Sequence, residues 1–142
     1  MSNARIPLAL RQRVVELFRY RCGYCLTSQR IIGPLLEIDH YIPESRGGSS
    51  EEDNLCLACP MCNNRKSDRV EAVDPESHAV VPLFNPCQQQ WEEHFFWTEG
   101  GTVVQGLTAV GRATVVVLHM NHPDTVAARQ LWVSAGWHPP SD

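Results

Sequence analysis

Three motifs between residues 22 and 66 decide the fold: C-G-Y-C at 22–25, L-E-I-D-H-Y-I-P-E-S-R-G-G at 36–48, and D-N-L-C-L-A-C-P-M-C-N-N-R-K at 53–66. Two Cys-x-x-Cys pairs therefore bracket a polar segment that carries an Asp-His dipeptide and a Gly-Gly turn. In each pair the two-residue gap lets a tight turn direct both sulfurs to one point, as zinc ligands require.

A structural zinc site is the first prediction. Its ligands are Cys22, Cys25, Cys59 and Cys62. Four thiolates fill a tetrahedral site without an open position, so the ion would stabilise the fold instead of reacting. In zinc-finger peptides such a site contributes an apparent free energy of roughly 10–16 kcal/mol. The alternatives are a redox pair or two disulfides, which suit secreted proteins, but no signal peptide is visible. Cys56 and Cys87 are interpreted as small apolar residues.

The segment between the cysteine pairs predicts four short elements in a fixed order. They are a strand at 35–39, a loop at 43–48, extended chain at 54–57, and a helix that ends near residue 67. A proline and two glycines force the loop, and Pro60 suits the first turn of the helix. Asp39 and His40 then lie at the end of the first strand, and Asn63 lies on the helix packed across it.

This order of motifs resembles the HNH endonuclease family. The residues that carry the resemblance are D-H, P, G-G, N-L, C-x-x-C-N and K, after an initial C-x-x-C, and they cover about residues 20–68. The resemblance implies an α+β fold whose ββα-metal (His-Me finger) core is stapled by the four-cysteine zinc site. Asn63 stands where the family name has His, and Asn also occurs there in active members.

The resemblance also implies a role for each polar residue of the core. His40 corresponds to the general base, Asn54 to the asparagine that pins the loop, and Asp39 and Asn63 to the ligands of a catalytic metal. A neutral imidazole can take a proton from water near neutral pH, and its second nitrogen should donate to a backbone carbonyl. Carboxylate and amide oxygens suit Mg²⁺ or Mn²⁺ better than zinc.

Together these residues predict a metal-dependent endonuclease that hydrolyses DNA phosphodiester bonds. The ion would stabilise the scissile phosphate and the departing 3′ oxygen, and the resemblance implies 5′-phosphate and 3′-hydroxyl products. A non-catalytic zinc module that binds nucleic acid or protein through the same fold is the alternative.

Basic residues around the core are candidates for contacts to DNA. Arg46, Arg65 and Lys66 are the predicted phosphate contacts because they flank the proposed site. Pairing with nearby carboxylates is the alternative for each of them. The arginines at 11, 13, 19 and 21 are interpreted as a solvated helix surface, with phosphate contact as the alternative.

The net charge of -4 is divided unevenly along the chain. Residues 1–70 hold ten lysines and arginines against eight acids (+2), and residues 71–142 hold two against eight (-6). Basic charge therefore concentrates in the half that holds the proposed site, which predicts weak, salt-sensitive DNA binding. No apolar run approaches the roughly 20 residues of a membrane span, and a cytoplasmic protein with reduced thiols is expected.

Two parts are predicted: an HNH nuclease core at 1–70 and an extension at 71–142 that packs on it. The core begins with an amphipathic helix at 6–20, whose residues Leu10, Val14, Leu17 and Phe18 should face the interior.

The extension is predicted to hold a β-hairpin and two longer helices. In chain order it predicts a turn at 74–77, extended chain at 80–84, a short helix at 87–95, the hairpin at 95–104, a helix capped by Thr108, and a helix from Asp124 to Ala135. The pattern resembles the tail of some small bacterial HNH proteins. Its four tryptophans are expected mainly in the core, with stacking on nucleic-acid bases as the alternative. The extension could form a homodimer or bind a partner protein.

Overall fold

The computed structural model describes residues 6–141; residues 1–5 and 142, the ends of the two predicted parts, lie outside the described residues. The helices are α1 (Leu8–Leu17), α2 (Gln29–Ile32), α3 (Pro60–Lys66), α4 (Trp91–His94), α5 (Ala109–Val117) and α6 (Pro123–Ser134). The strands are β1 (Glu37–His40), β2 (Leu55–Ala58), β3 (Glu71–Val73), β4 (Val80–Pro82), β5 (Phe95–Thr98) and β6 (Val103–Gly106). They form three antiparallel pairs, β1–β2, β3–β4 and β5–β6, so the predicted α+β class is confirmed.

The β1–β2–α3 unit has the predicted order of strand, loop, strand and helix. In its register Asp39 lies opposite Cys56, and His40 lies opposite Leu55. The first strand begins two residues later than predicted because residues 33–35 form a 3-10 turn around a proline. Helix α3 begins at Pro60, which needs no intrahelical partner there, and the Cys59 sulfur accepts a hydrogen bond from the Cys62 N–H.

Helix α1 covers one face of the β1–β2 pair. Val14 is fully buried against Ile38, Leu55 and Leu57. The prediction that Leu17 faces the interior is wrong, since this side chain is 51% exposed. The helix ends at Leu17 because the chain after Phe18 enters the left-handed region, with φ values of 55° and 59° at the next two residues.

The extension shares a hydrophobic cluster with the zinc-ligand cysteines. Phe84, Phe95, Val104 and Leu118 belong to the same group of buried residues as all four cysteines. The Tyr41 hydroxyl adds a link between the two parts by donating a 2.6 Å hydrogen bond to the Leu83 carbonyl. Packing of this kind rigidifies the scaffold on which the polar core residues lie.

Within the extension, the β5–β6 hairpin and the helix capped by Thr108 follow the predicted pattern. The Thr108 hydroxyl accepts a hydrogen bond from the Gly111 N–H at 3.0 Å. The predicted turn at 74–77 joins a hairpin, β3–β4, that the sequence did not reveal. The short helix is only α4 and ends where β5 begins, and α6 is capped by His122 instead of Asp124.

Within residues 6–141, no helix has both the length and the apolar character needed to cross a bilayer.

Candidate functional site

The four predicted zinc ligands lie together in the interior. Cys22 and Cys25 lie on the loop after α1, Cys59 follows β2 and caps α3, and Cys62 lies in the first turn of α3. All four are buried, and their sulfur atoms lie within 4.8 Å of one another. Two backbone N–H groups, from Tyr24 and Cys62, donate to cluster sulfurs at 3.4 Å. The arrangement fits the four-sulfur set of a closed, structural zinc site.

The electrostatics of this cluster are those of crowded, buried thiols. Burial raises the pKa of the Cys22 thiol, whereas hydrogen bonds from the neighbouring thiols lower the pKa of Cys25. Arg129 of α6 is fully buried and donates to the backbone carbonyls of Thr102 and Met120 at 2.9 and 2.7 Å. Burial lowers the pKa of Arg129, and negative charge on Cys25, Cys62 and Cys59 opposes that shift.

A second, polar cavity opens at the C-terminal end of β1. Its volume is about 250 Å³, and Asp39, His40 and Asn63 all line it, together with Glu44 and Ser67. The strand contributes the first two side chains and α3 contributes Asn63. Packing of α3 across the β1–β2 pair therefore brings an imidazole, a carboxylate and an amide to one opening.

His40 is held by a hydrogen-bonded chain of side chains. Its Nε2 lies 2.9 Å from the Ser50 hydroxyl, which donates to the Glu44 carboxylate at 3.3 Å. Because the single hydroxyl proton points to Glu44, Nε2 must donate to Ser50, and Nδ1 is then the nitrogen with the free lone pair. The backbone carbonyl expected as the partner of this imidazole is replaced by a serine hydroxyl.

Asp39 is buried beside Lys66. The Lys66 Nζ lies 3.5 Å from Asp39 Oδ2 and donates to the His40 carbonyl at 3.0 Å. Burial raises the pKa of Asp39, and the ammonium opposes that shift. The prediction that Lys66 contacts DNA phosphate is wrong for this conformation, because its side chain is completely buried under the site.

The two asparagines have different tasks. Asn63 Nδ2 donates to the Glu37 carboxylate at 2.7 Å, so its Oδ1 is the atom left for another partner. Asn54 binds the loop after β1: it accepts from the Ile42 N–H at 2.8 Å and donates to the carbonyls of Ile42 and Ser49. Gly48 permits this closure, since a Cβ there would lie 1.7 Å from the Ile42 carbonyl oxygen.

The comparisons with known proteins bear on this core alone. Residues 22–69 match the HNH endonuclease family. That match spans 48 of the 142 residues and includes the zinc-ligand cluster and every residue of the polar cavity. Comparisons with curated proteins and with solved structures give no significant match.

The remaining predicted DNA contacts of the HNH segment are partly engaged within the protein. Arg46 is exposed, and its Nε donates to the Asp68 carbonyl at 2.6 Å. Arg65 is half-buried, and one of its nitrogens donates to the carbonyls of Leu118 and His119 at 3.2 and 2.9 Å. Both therefore stay predictions as phosphate contacts, and Arg65 in addition ties the HNH segment to the end of α5.

Three residues of the HNH segment contribute to the site although the motif reasoning gave them no role: Ser50 and Glu44, which hold the imidazole, and Glu37, which orients Asn63. Only the position of Glu37, two residues before Asp39, indicates that both carboxylates face the same side of the strand. Ser50 and Glu44 belong to a loop whose path the sequence does not specify.

Proposed function

We propose that the chain is an endonuclease that hydrolyses DNA phosphodiester bonds in the cavity between β1 and α3. The observation that carries this proposal is the shared opening of Asp39, His40 and Asn63 within a segment that matches the HNH endonuclease family. Metal-assisted hydrolysis of a phosphodiester needs a base that takes a proton from water and ligands that hold the ion. The imidazole of His40 offers the base, and the oxygens of Asp39 and Asn63 offer the ligands.

His40 acts as the general base. Its Nε2–H is engaged with Ser50, so the Nδ1 lone pair is the acceptor for a proton from the attacking water. As the ring becomes imidazolium, its positive charge is stabilised through Ser50 by the Glu44 carboxylate, whose Oε2 lies 3.7 Å from Nε2. A positioned base of this kind contributes roughly 10²–10⁴-fold to a rate.

Asp39 and Asn63 are the residues that would hold a catalytic Mg²⁺ or Mn²⁺. The ligand atoms that these side chains offer are oxygens, which fit these hard cations. When bound, such an ion stabilises negative charge on the phosphoryl and leaving oxygens. Lys66 favours the ionised form of Asp39 in its buried position, and Glu37 orients the Asn63 amide so that its oxygen is available.

The four-cysteine cluster is proposed to hold a structural Zn²⁺ and not to react. It joins the loop after α1 to the start of α3, so it fixes the helix that carries Asn63. No disulfide joins any of the six cysteines, in keeping with the proposed reducing, cytoplasmic setting.

The test is nicking of supercoiled plasmid DNA by the zinc-loaded full chain with Mg²⁺ or Mn²⁺. His40→Asn should lower the rate at least about 100-fold, since it removes the base. His78→Asn is the matched control, because His78 is exposed on the β3–β4 turn and lies outside the cavity. Equal nicking by the two variants would remove His40 from the mechanism. Tight DNA binding without nicking by the wild-type protein would favour a binding module instead.

A further inference from the structure

A second pocket, which we call the arginine pocket, lies between the end of α1 and the C-terminal tail. Its volume is about 250 Å³, and Arg19, Arg21, Arg30, Trp137 and Pro140 are among the residues that line it. None of the described residues that line it is acidic, and it shares no lining residue with the cavity of His40. The proposed nuclease mechanism uses none of these side chains.

Backbone contacts hold the two chain segments that carry the three arginines side by side. After α1 the chain turns back through the left-handed residues Arg19 and Tyr20, and Arg21 pairs with Ser28 in an isolated β-bridge. The Tyr20 carbonyl accepts a 2.8 Å hydrogen bond from the Gln29 N–H. These two contacts bring Arg30 to the same pocket as the other two arginines, although it lies nine residues after Arg21.

The indole of Trp137, which also lines the pocket, is exposed but held in place. After α6 ends at Ser134, Gly136 turns the chain with a φ of 79°, and the Trp137 N–H donates to the Trp132 carbonyl at 2.9 Å. The next residue, His138, is buried edge-on against Trp97 at 4.5 Å between ring centroids. This anchor keeps Trp137 at the pocket with 44% of its surface exposed.

Two arginines of the pocket, Arg19 and Arg30, differ from other surface arginines in their partners. Arg13 pairs with Glu52, Arg46 with Asp68, and Arg112 with Asp74. Within residues 6–141, by contrast, no ion pair joins Arg19 or Arg30 to a carboxylate. In a chain whose net charge is -4, two such guanidinium groups at one opening predict an anionic ligand.

Guanidinium groups beside an exposed indole match the two parts of an unpaired nucleotide. Arginine binds phosphate with paired hydrogen bonds, and tryptophan stacks on a base whose face is free. We propose that the arginine pocket binds a single-stranded segment of the DNA substrate, with its backbone on the arginines and a base against Trp137. This inference rests on the proposed nuclease function and narrows its substrate to DNA that contains unpaired nucleotides. A duplex would offer the phosphates but not a base face.

The test measures binding separately from cleavage. Fluorescence anisotropy of the zinc-loaded full chain, without Mg²⁺ or Mn²⁺, would compare a labelled single-stranded oligonucleotide with a duplex of the same length. Trp137→Leu should weaken single-strand binding about tenfold, and Trp137→Phe should retain most of the affinity. Arg30→Gln should weaken it and reduce the salt dependence by about 0.7 in the slope of log K against log salt. Arg13→Gln, which removes the same charge outside the pocket, should have a smaller effect.

Each outcome either supports or overturns the proposal. Equal affinity for duplex and single strand, or equal effects of Arg30→Gln and Arg13→Gln, would overturn it. Binding of a polyglutamate peptide in competition with the oligonucleotide and of similar strength would identify an acidic-peptide site instead. Far-ultraviolet circular dichroism and zinc content verify that each variant is folded. If the anisotropy comparison shows no preference for single strands, the result of the plasmid-nicking assay still stands. If the wild-type chain does not nick plasmid, the anisotropy comparison can still be read by itself.

Discussion

The Nζ atom of Lys66 lies 3.0 Å from the carbonyl oxygen of His40 and 3.5 Å from a carboxylate oxygen of Asp39. One fully buried ammonium on α3 therefore holds both the backbone of the proposed base and the side chain of the proposed metal ligand. A cation in this position fixes the distance between β1 and α3. It links the charge balance of the site to the stability of the core.

Replacing Lys66 alone should lower the free energy of unfolding more than replacing Lys66 and Asp39 together. Lys66→Met leaves the Asp39 charge and the His40 carbonyl buried without a partner, so we expect the free energy of unfolding to fall by on the order of 3 kcal/mol. Adding Asp39→Asn to that variant should restore part of the loss. Urea denaturation of the zinc-loaded proteins measures the cycle. Additive losses in the double variant would contradict a direct interaction between the two side chains.

Ser50 should act through the imidazole. Ser50→Ala removes the acceptor of the His40 Nε2–H and the link to Glu44, so the ring can rotate or change tautomer. We expect nicking to slow about tenfold, a part of the roughly 10²–10⁴-fold that a positioned base supplies.

Ser49→Ala is the matched control for this prediction. The Ser49 hydroxyl accepts a hydrogen bond from the Glu51 N–H at 3.3 Å, and the Ser49 carbonyl that Asn54 uses is unaffected by the substitution. An unchanged nicking rate in Ser50→Ala, or an equal slowing in Ser49→Ala, would show that Ser50 does not position His40.

The prominent features of the core could be predicted because they depend on local chemistry. Cysteine spacing identified the metal cluster, and Pro60 marked the start of α3. The burial of Arg65 and Lys66 could not be predicted in the same way. Neighbouring helical residues point about 100° apart, and the sequence does not show which direction is inward. The structure buries Lys66 and leaves Arg65 half-exposed.

Other differences arise from tertiary contacts. The early end of α1 depends on left-handed backbone at Arg19 and Tyr20, which residue types other than glycine rarely adopt. Arg129 resembles a surface residue by type, yet its two terminal guanidinium nitrogens donate to three backbone and side-chain oxygens in the interior. The Ser50–Glu44 chain joins loop residues to a strand, and no periodicity encodes such a contact.

Removal of the metal from the cysteine cluster should unfold the core. Cys22→Ser replaces one of four sulfurs, so we expect zinc content to fall from one equivalent toward zero and the melting transition to broaden or disappear. Cys87→Ser is the control, because the Cys87 sulfur lies outside the cluster and donates to the Leu55 carbonyl at 3.3 Å. Zinc content by atomic emission and melting by circular dichroism measure both effects. Full zinc content in Cys22→Ser would exclude this residue as a ligand.

His138 should make the stability of the protein depend on pH. Its ring is buried, and neither nitrogen has a hydrogen-bond partner among the described residues. Burial, aided by repulsion from Arg129 and opposed by Cys25, lowers the pKa of His138 from 6.5 to about 4. Between these two values the unfolded chain binds more protons than the folded one. The free energy of unfolding should therefore be highest above pH 6.5 and fall as the pH decreases toward about 4.

The variant that isolates this effect is His138→Phe, which keeps an aromatic ring between Trp97 and Trp132 and removes the titrating group. Allowing for screening, we expect the wild-type protein to lose about 2 kcal/mol more than the variant across this range. Zinc release in acid also destabilises the fold, but it is common to both proteins and cancels in the difference. Urea denaturation at a series of pH values provides the measurement, with His78→Asn as a control that should follow the wild type. Parallel stability curves for wild type and His138→Phe would show that protonation of His138 does not cause the loss of stability in acid.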